Sequence, residues 1–235
     1  MNCCNIIKRE LNMYQENEII FASKFYKERL QQISISETAF YKSLERMHKN
    51  KIIYKLGKGI YYFPKFSKFG CVPISKNEII NLYTKNNSGM IIGYDLYNKL
   101  NLSTQVSKKT TIYSSFIDNE TKKILNIEIK NIKFNLTNEY IKIIEMLEVL
   151  QHFQVIEDIN YRSFYNYAKN FASTYNEENV LFVLNSINYK KCTISFLHTI
   201  LNHFNVKNNL NFLLSTLSKY NHMNMETIYE LTLTQ

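Results

Sequence analysis

The chain has 235 residues with a formal net charge of +9; 45% are hydrophobic and 14% aromatic, with only 5 Gly and 2 Pro. That content is too apolar for a disordered chain and too poor in Gly and Pro for a collagen-like or linker-like one. No apolar run reaches the roughly 18 residues of a membrane span and the N-terminus lacks the pattern of a secretory signal, so the expectation is a soluble, cytoplasmic protein of one or two domains.

The charge is unevenly placed. Residues 1–68 hold 13 Lys+Arg against 6 Asp+Glu, a net of +7, leaving +2 for residues 69–235. A positive field confined to one small domain attracts a polyanion, and counterions released from nucleic acid supply the driving force. A solvated Lys-rich surface is the competing reading. Cys3, Cys4, Cys71 and Cys192 are scattered without C-x-x-C spacing, and reduced thiols are expected.

In chain order, residues 1–68 read as three helices and a two-stranded hairpin. Ser34-Ile35-Ser36-Glu37 has the S-x-x-E form of a capping box, which starts a helix by satisfying its orphan amides. Phe40, Leu44 and Met47 follow on one apolar stripe, while Thr38, Tyr41, Lys42, Glu45, Arg46 and Lys49 fall outside it. The β-branched and aromatic runs Ile52–Leu56 and Ile60–Phe63 flank Gly57-Lys58-Gly59, a hairpin signal, and Pro64 ends the second run. A basic helix followed at once by a hairpin tipped with Lys58 is the layout of a winged helix-turn-helix, the helix entering the major groove and the wing lying along the backbone. A nucleotide-binding reading of Gly57 and Gly59 fails, because Tyr62 stands where the third Gly belongs and a strand follows.

Residues 69–88 read as a linker containing Gly70, Pro73 and a short helix around Asn77–Tyr83, and residues 89–235 as a C-terminal domain. There Met90–Ile92 reads as a strand, Gly93–Leu100 as a helix, and Thr110–Ile117 and Ile124–Phe134 as strands joined by a turn at Asp118–Thr121, with a bulge or turn near Lys130-Asn131. Thr137 and Asn138 cap a helix facing Tyr140, Ile144, Leu147 and Leu150 inward, and Asn176-Glu177-Glu178 opens another with Leu181 and Leu184. The stripes Ile194, Leu197, Leu201, Phe204 and Leu210, Leu213, Leu217 complete an all-helical last hundred residues. The fold class is therefore α+β and mainly helical: an N-terminal winged helix-turn-helix, then a domain with a small sheet and a helical bundle.

Two blocks carry a resemblance. The first runs from Ala39 to Met47, with Leu44-Glu45-Arg46-Met47, and on from Ile53 to Tyr62, with Leu56-Gly57-Lys58-Gly59-Ile60-Tyr61. The second is Ser88–Gly93 followed by Leu100–Val106. Over about residues 20–135 the chain resembles the AbiEi-type antitoxins of type IV toxin–antitoxin systems, associated with abortive phage infection. It departs at Met47, where Leu is usual, and at Asn101, where Gly is common. The resemblance implies a repressor that binds inverted repeats in its own operator, and a C-terminal domain that counteracts a nucleotidyltransferase-like toxin with no stable complex required.

For DNA contact the candidates are Ser36, Thr38, Tyr41, Lys42 and Arg46 on the helix, with Lys55 and Lys58 on the wing. Arg46 can pair with phosphate or with guanine O6 and N7; its competing role is to pack its stem and pair with a carboxylate. Lys58 suits phosphate or minor groove and so affinity more than specificity. The chain reads as a non-enzyme without cofactors. It has no P-loop, no G-x-S-x-G elbow and no nucleotidyltransferase cluster, and His198 and His203 are five apart, off the spacing of a helical zinc pair. Asp118, Glu128 and Lys130 follow the D…E-x-K spacing of metal-dependent nucleases, yet an alternating Glu and Lys also makes an ordinary solvated strand face. A stand-alone regulator with a ligand-sensing or dimerising C-terminal domain is the other alternative.

Overall fold

The computed structural model describes residues 3–33 and 35–234, apart from the side chains of Cys3 and Cys4. The expectations resting on Ser34 and on those two thiols lie outside the described residues. The chain divides into two compact units, Met1–Ile79 with Lys123–Leu125, and Ile80–Lys122 with Asn126–Gln235.

The first unit begins with helix α1 (Cys3–Leu11) and strand β1 (Ile19–Phe21). Helix α2 (Ala22–Phe25) continues into a wider turn at Tyr26–Leu30 and a tighter one at Gln31–Ile33. Helix α3 (Glu37–Lys49) and strands β2 (Tyr54–Gly57) and β3 (Ile60–Tyr62) follow. β1 pairs antiparallel with β3, and β3 with β2, in the order β1-β3-β2. Three helices and a three-stranded sheet in this order form a winged helix-turn-helix. The hairpin thus has a third strand, whose three residues are too short to show alternation in the sequence.

The core explains why these elements close. Ile7 and Leu11 from α1, Phe25 from α2, Leu30 from the wider turn after it, and Phe40, Leu44 and Met47 from α3 are buried with Ile53 and Tyr61. Phe25 and Phe40 stack at 5.8 Å, and each fully buried side chain of this size contributes about 1.5–3 kcal/mol. The Tyr26 hydroxyl donates to Ile35 O at 2.7 Å, pinning the turn that aims α3. The N-cap of α3 is Ser36, whose hydroxyl accepts from Ala39 N at 3.3 Å. The helix thus opens at Glu37, directly after its cap.

A second hairpin, β4 (Lys65–Ser67) and β5 (Gly70–Val72), runs across residue 68 into the stretch read as linker and short helix. Gly70, at φ +109°, makes its turn possible, and Ser67 Oγ accepts from Phe69 N at 3.1 Å. Helix α4 (Lys76–Thr84) then opens on a reciprocal cap: Ser75 N donates to Glu78 Oε2 at 2.7 Å, and Glu78 N donates to Ser75 Oγ at 3.2 Å. The division between the units falls inside this helix.

After α4 come β6 (Gly89–Ile92), α5 (Tyr94–Lys99), β7 (Thr110–Ser114), β8 (Thr121–Ile124) and β9 (Ile127–Asn131), all within the second unit but for the last two residues of β8, and the strands form a sheet of order β6-β7-β9-β8. β7 pairs antiparallel with β6 and parallel with β9. The run 124–134, read as one strand, is broken at Leu125 (φ +52°) and Asn126, which turn β8 back into β9. That break, five residues before the expected one, removes the expected hairpin around Asp118: the segment before β8 is instead a crossover to the far edge.

Helices α6 (Asn138–His152), α7 (Tyr161–Ser173), α8 (Glu177–Ser186), α9 (Lys191–His203) and α10 (Met225–Thr232) complete this unit. α6 is capped by Thr137, which accepts from Tyr140 N at 3.2 Å. Ile143–Leu150 are all buried, so the helix is enclosed on every side rather than on the single face its periodicity suggests. The fully buried residues of α8 are Val180 and Val183, flanked by the half-buried Leu181 and Leu184. The stripe Leu210, Leu213, Leu217 is only one tight turn, and Leu217 is exposed. Asn supplies the caps of α7, α8 and α10, each side chain accepting from a backbone amide of the first turn. Among the described residues no helix is long and apolar enough to cross a membrane.

Candidate nucleic-acid interface

Helix α3 buries Phe40, Ser43, Leu44 and Met47, so its 3.6-residue period turns Thr38, Lys42, Glu45 and Lys49 to the opposite face. All four are exposed, as is Arg46 beside them. Ser36 is exposed, but its hydroxyl is engaged as the cap. Tyr41 is half-buried, its ring 5.3 Å from that of Phe40; burial, with the Glu37 charge, pushes its hydroxyl pKa upward. Lys55 lies exposed on β2 opposite Tyr61, and Lys58 is exposed at the wing tip, where Gly59 (φ +69°) completes the turn. Among the described residues no ion pair engages Arg46, Lys42, Lys55 or Lys58; the pairs within the first unit are Arg9–Glu10 and Lys24–Glu28.

The basic run is longer than the single candidates on α3 and the wing indicate. From Arg46 to Asn77 there are eight Lys+Arg and no Asp or Glu. The run spans the end of α3, the wing and the second hairpin, so it also takes in Lys65 and Lys68 with the exposed Phe66 and Phe69. The repeat Lys65-Phe66-Ser67, Lys68-Phe69-Gly70 is the signal that could have found them.

The second unit holds a different arrangement. Glu148 is 4% exposed, and its Oε1 accepts from the hydroxyls of Tyr113 at 3.0 Å and Tyr189 at 3.1 Å. Burial, reinforced by this carboxylate, pushes both hydroxyl pKa values up. Glu148 Oε2 lies 3.8 Å from His152 Nδ1, and both residues line a cavity of about 180 Å³ with Tyr94, Tyr97 and Lys130. Neither Glu148 nor His152 stands out in the sequence, where a buried Glu on an apolar helix reads as surface.

Two of the nuclease-like trio are engaged elsewhere. Glu128 pairs with Lys109 at 2.6 Å, and Lys130 Nζ lies 6.0 Å from the Tyr113 ring centroid. Among the described residues no group of three or more His, Cys, Asp or Glu could hold a metal ion. His198 bonds to Asn208 at 2.7 Å, whereas His203 bonds to the Tyr165 hydroxyl at 3.2 Å.

The sequence matches the model of DUF6088, described as a family of unknown function, over residues 7–152. No curated protein matches it. Among solved structures it is similar to the crystal structure of the Rv2827c protein from Mycobacterium tuberculosis, with 7% sequence identity, coverage of 86% of this chain and 76% of that one, and a TM-score of 0.44.

Proposed function

The chain belongs to the DUF6088 family, and from that footing we propose that it is a cytoplasmic, DNA-binding antitoxin that represses its own operon through the winged helix. One observation carries the DNA half: the acid-free run from Arg46 to Asn77, largely exposed and free of ion pairs among the described residues. Unpaired cations on one unit offer a duplex the release of its condensed counterions, while α3 presents side chains of the kind that read a major groove. The antitoxin half rests on the resemblance of Leu44–Met47, Leu56–Tyr61, Ser88–Gly93 and Leu100–Val106 to AbiEi-type proteins. In this reading the protein acts by binding, not catalysis: the second unit counteracts a nucleotidyltransferase-like toxin encoded beside it, without a stable complex.

The test is a titration of the Arg46→Ala and Lys58→Ala variants on duplex DNA from the region upstream of the gene. Arg46→Ala lowers affinity and relaxes discrimination, because a guanidinium can read a base edge; Lys58→Ala lowers affinity for all duplexes alike. Unaltered affinity in both variants sinks the assignment. For the antitoxin half, co-expression with the neighbouring toxin gene rescues growth, and failure to rescue leaves a regulator only. The cavity beside Glu148 favours a second reading, a stand-alone regulator whose second unit senses a small ligand.

A further inference from the structure

The second hairpin has an anchored base and a bare tip. At the base the flanking Pro64 and Ile74 are buried, with the Tyr54 hydroxyl near the Cys71 side chain and the Tyr62 hydroxyl near the backbone of Ile74. At the tip residues 65–70 are all exposed, with Phe66 61% and Phe69 89% accessible. Two phenylalanines on a fixed hairpin gain little from folding while they face water, so their contribution lies in what they meet outside the unit. The charge around them selects the class of partner. Lys65 and Lys68 share the hairpin, and the Lys68 ammonium lies 5.1 Å from the Phe69 ring centroid. A second copy of the chain would bring the same acid-free surface against this one, whereas a duplex brings phosphates.

We propose that the tip of β4–β5 is a wedge: Phe69, with Phe66 behind it and Lys65 and Lys68 on the phosphates, enters between base steps of the duplex held by α3 and kinks it. Apolar side chains inserted from the minor-groove side unstack a step and bend DNA by tens of degrees, and flanking lysines fix the register without reading sequence. This inference rests on the DNA-binding reading and adds to it an element that deforms the site.

The chain has no tryptophan, so Phe69→Trp places a single indole at the tip. On saturation with duplex from the gene's upstream region, stacking is expected to quench its emission. The Phe66→Ala/Phe69→Ala double variant is expected to melt like the parent, to bind that duplex at least about tenfold more weakly, and to bend it less in a circular-permutation gel assay. An indole left unquenched in the Phe69→Trp variant on saturated duplex, with bend and affinity unaltered in the double variant, overturns the wedge; if Arg46→Ala still weakens binding, the DNA reading survives without it. No binding by the parent chain to any duplex overturns both. The wedge is equally overturned if the double variant keeps its DNA affinity but loses self-association in sedimentation, or loses binding to anionic vesicles instead.

Discussion

A buried carboxylate tests the packing account of the second unit at single-residue scale. Glu148 Oε1 is the acceptor of two tyrosine hydroxyls, and Glu148→Ala strands both donors in the core. The expected loss is about 3 kcal/mol in urea-induced unfolding, with Glu148→Gln losing less because its amide oxygen still accepts. A change within about 0.5 kcal/mol for the alanine variant contradicts the network. Gly89 is a second such position: a Cβ there would collide with the backbone carbonyls of Tyr83 and Tyr113. Gly89→Ala is expected to cost more than about 2 kcal/mol, read in the same experiment, and a neutral effect contradicts the close approach. Of the two, Gly89 lay in a motif visible in the sequence, while Glu148 was hidden. An apolar stripe is legible from spacing alone, but complete enclosure depends on which other helices arrive, and no local pattern encodes that. The same limit applies to Phe66 and Phe69, since periodicity marks apolar residues without saying that nothing covers them.

Helix ends and short strands are set by particular bonds, and these decide the element scale. The cap of α4 is reciprocal between Ser75 and Glu78, with Asn17 Nδ2 also donating to Glu78 at 3.2 Å. Ser75→Ala is expected to lower stability by about 1 kcal/mol in thermal or urea unfolding. The amide of Ser75, followed by its hydroxyl, holds the Glu78 carboxyl below its ordinary pKa. That stabilisation is full at neutral pH and is lost as pH falls through and below about 4, so the parent should lose more stability over that window than Glu78→Gln. Equal acid sensitivity of the two contradicts the cap. The S-x-x-E pattern occurs at both Ser34 and Ser75; α3 uses Ser36 as its cap, and Ser75 carries the reciprocal bonds. The Ile60–Tyr62 strand, α3 and α6 were legible because long periodic runs or a Gly turn mark them. β1, β4 and β5, at three residues each, are too short for a period to register, and Leu125 turns the chain at a positive φ that nothing about leucine advertises.

For the whole molecule, the division of charge is the feature that links sequence to function. The first unit carries the basic excess on an exposed helix face, a wing and a second hairpin, and its topology follows from one small core built on α1, α3 and the sheet. The second unit is organised around α6 and contains the cavity beside Glu148. The winged helix was readable because hairpin, stripe and charge coincide within some thirty residues; the second unit was readable only as sheet then helices, since its order of strands depends on a crossover. The central claim is that the first unit holds duplex DNA in a sequence-selective way. It is tested most directly by titrating the full chain on its own upstream DNA and on a scrambled duplex at two salt concentrations. The account predicts tighter binding to the upstream DNA and an affinity that falls steeply with salt, by a slope of about −0.9 per phosphate contacted. Equal affinity for the two duplexes, or binding indifferent to salt, contradicts it.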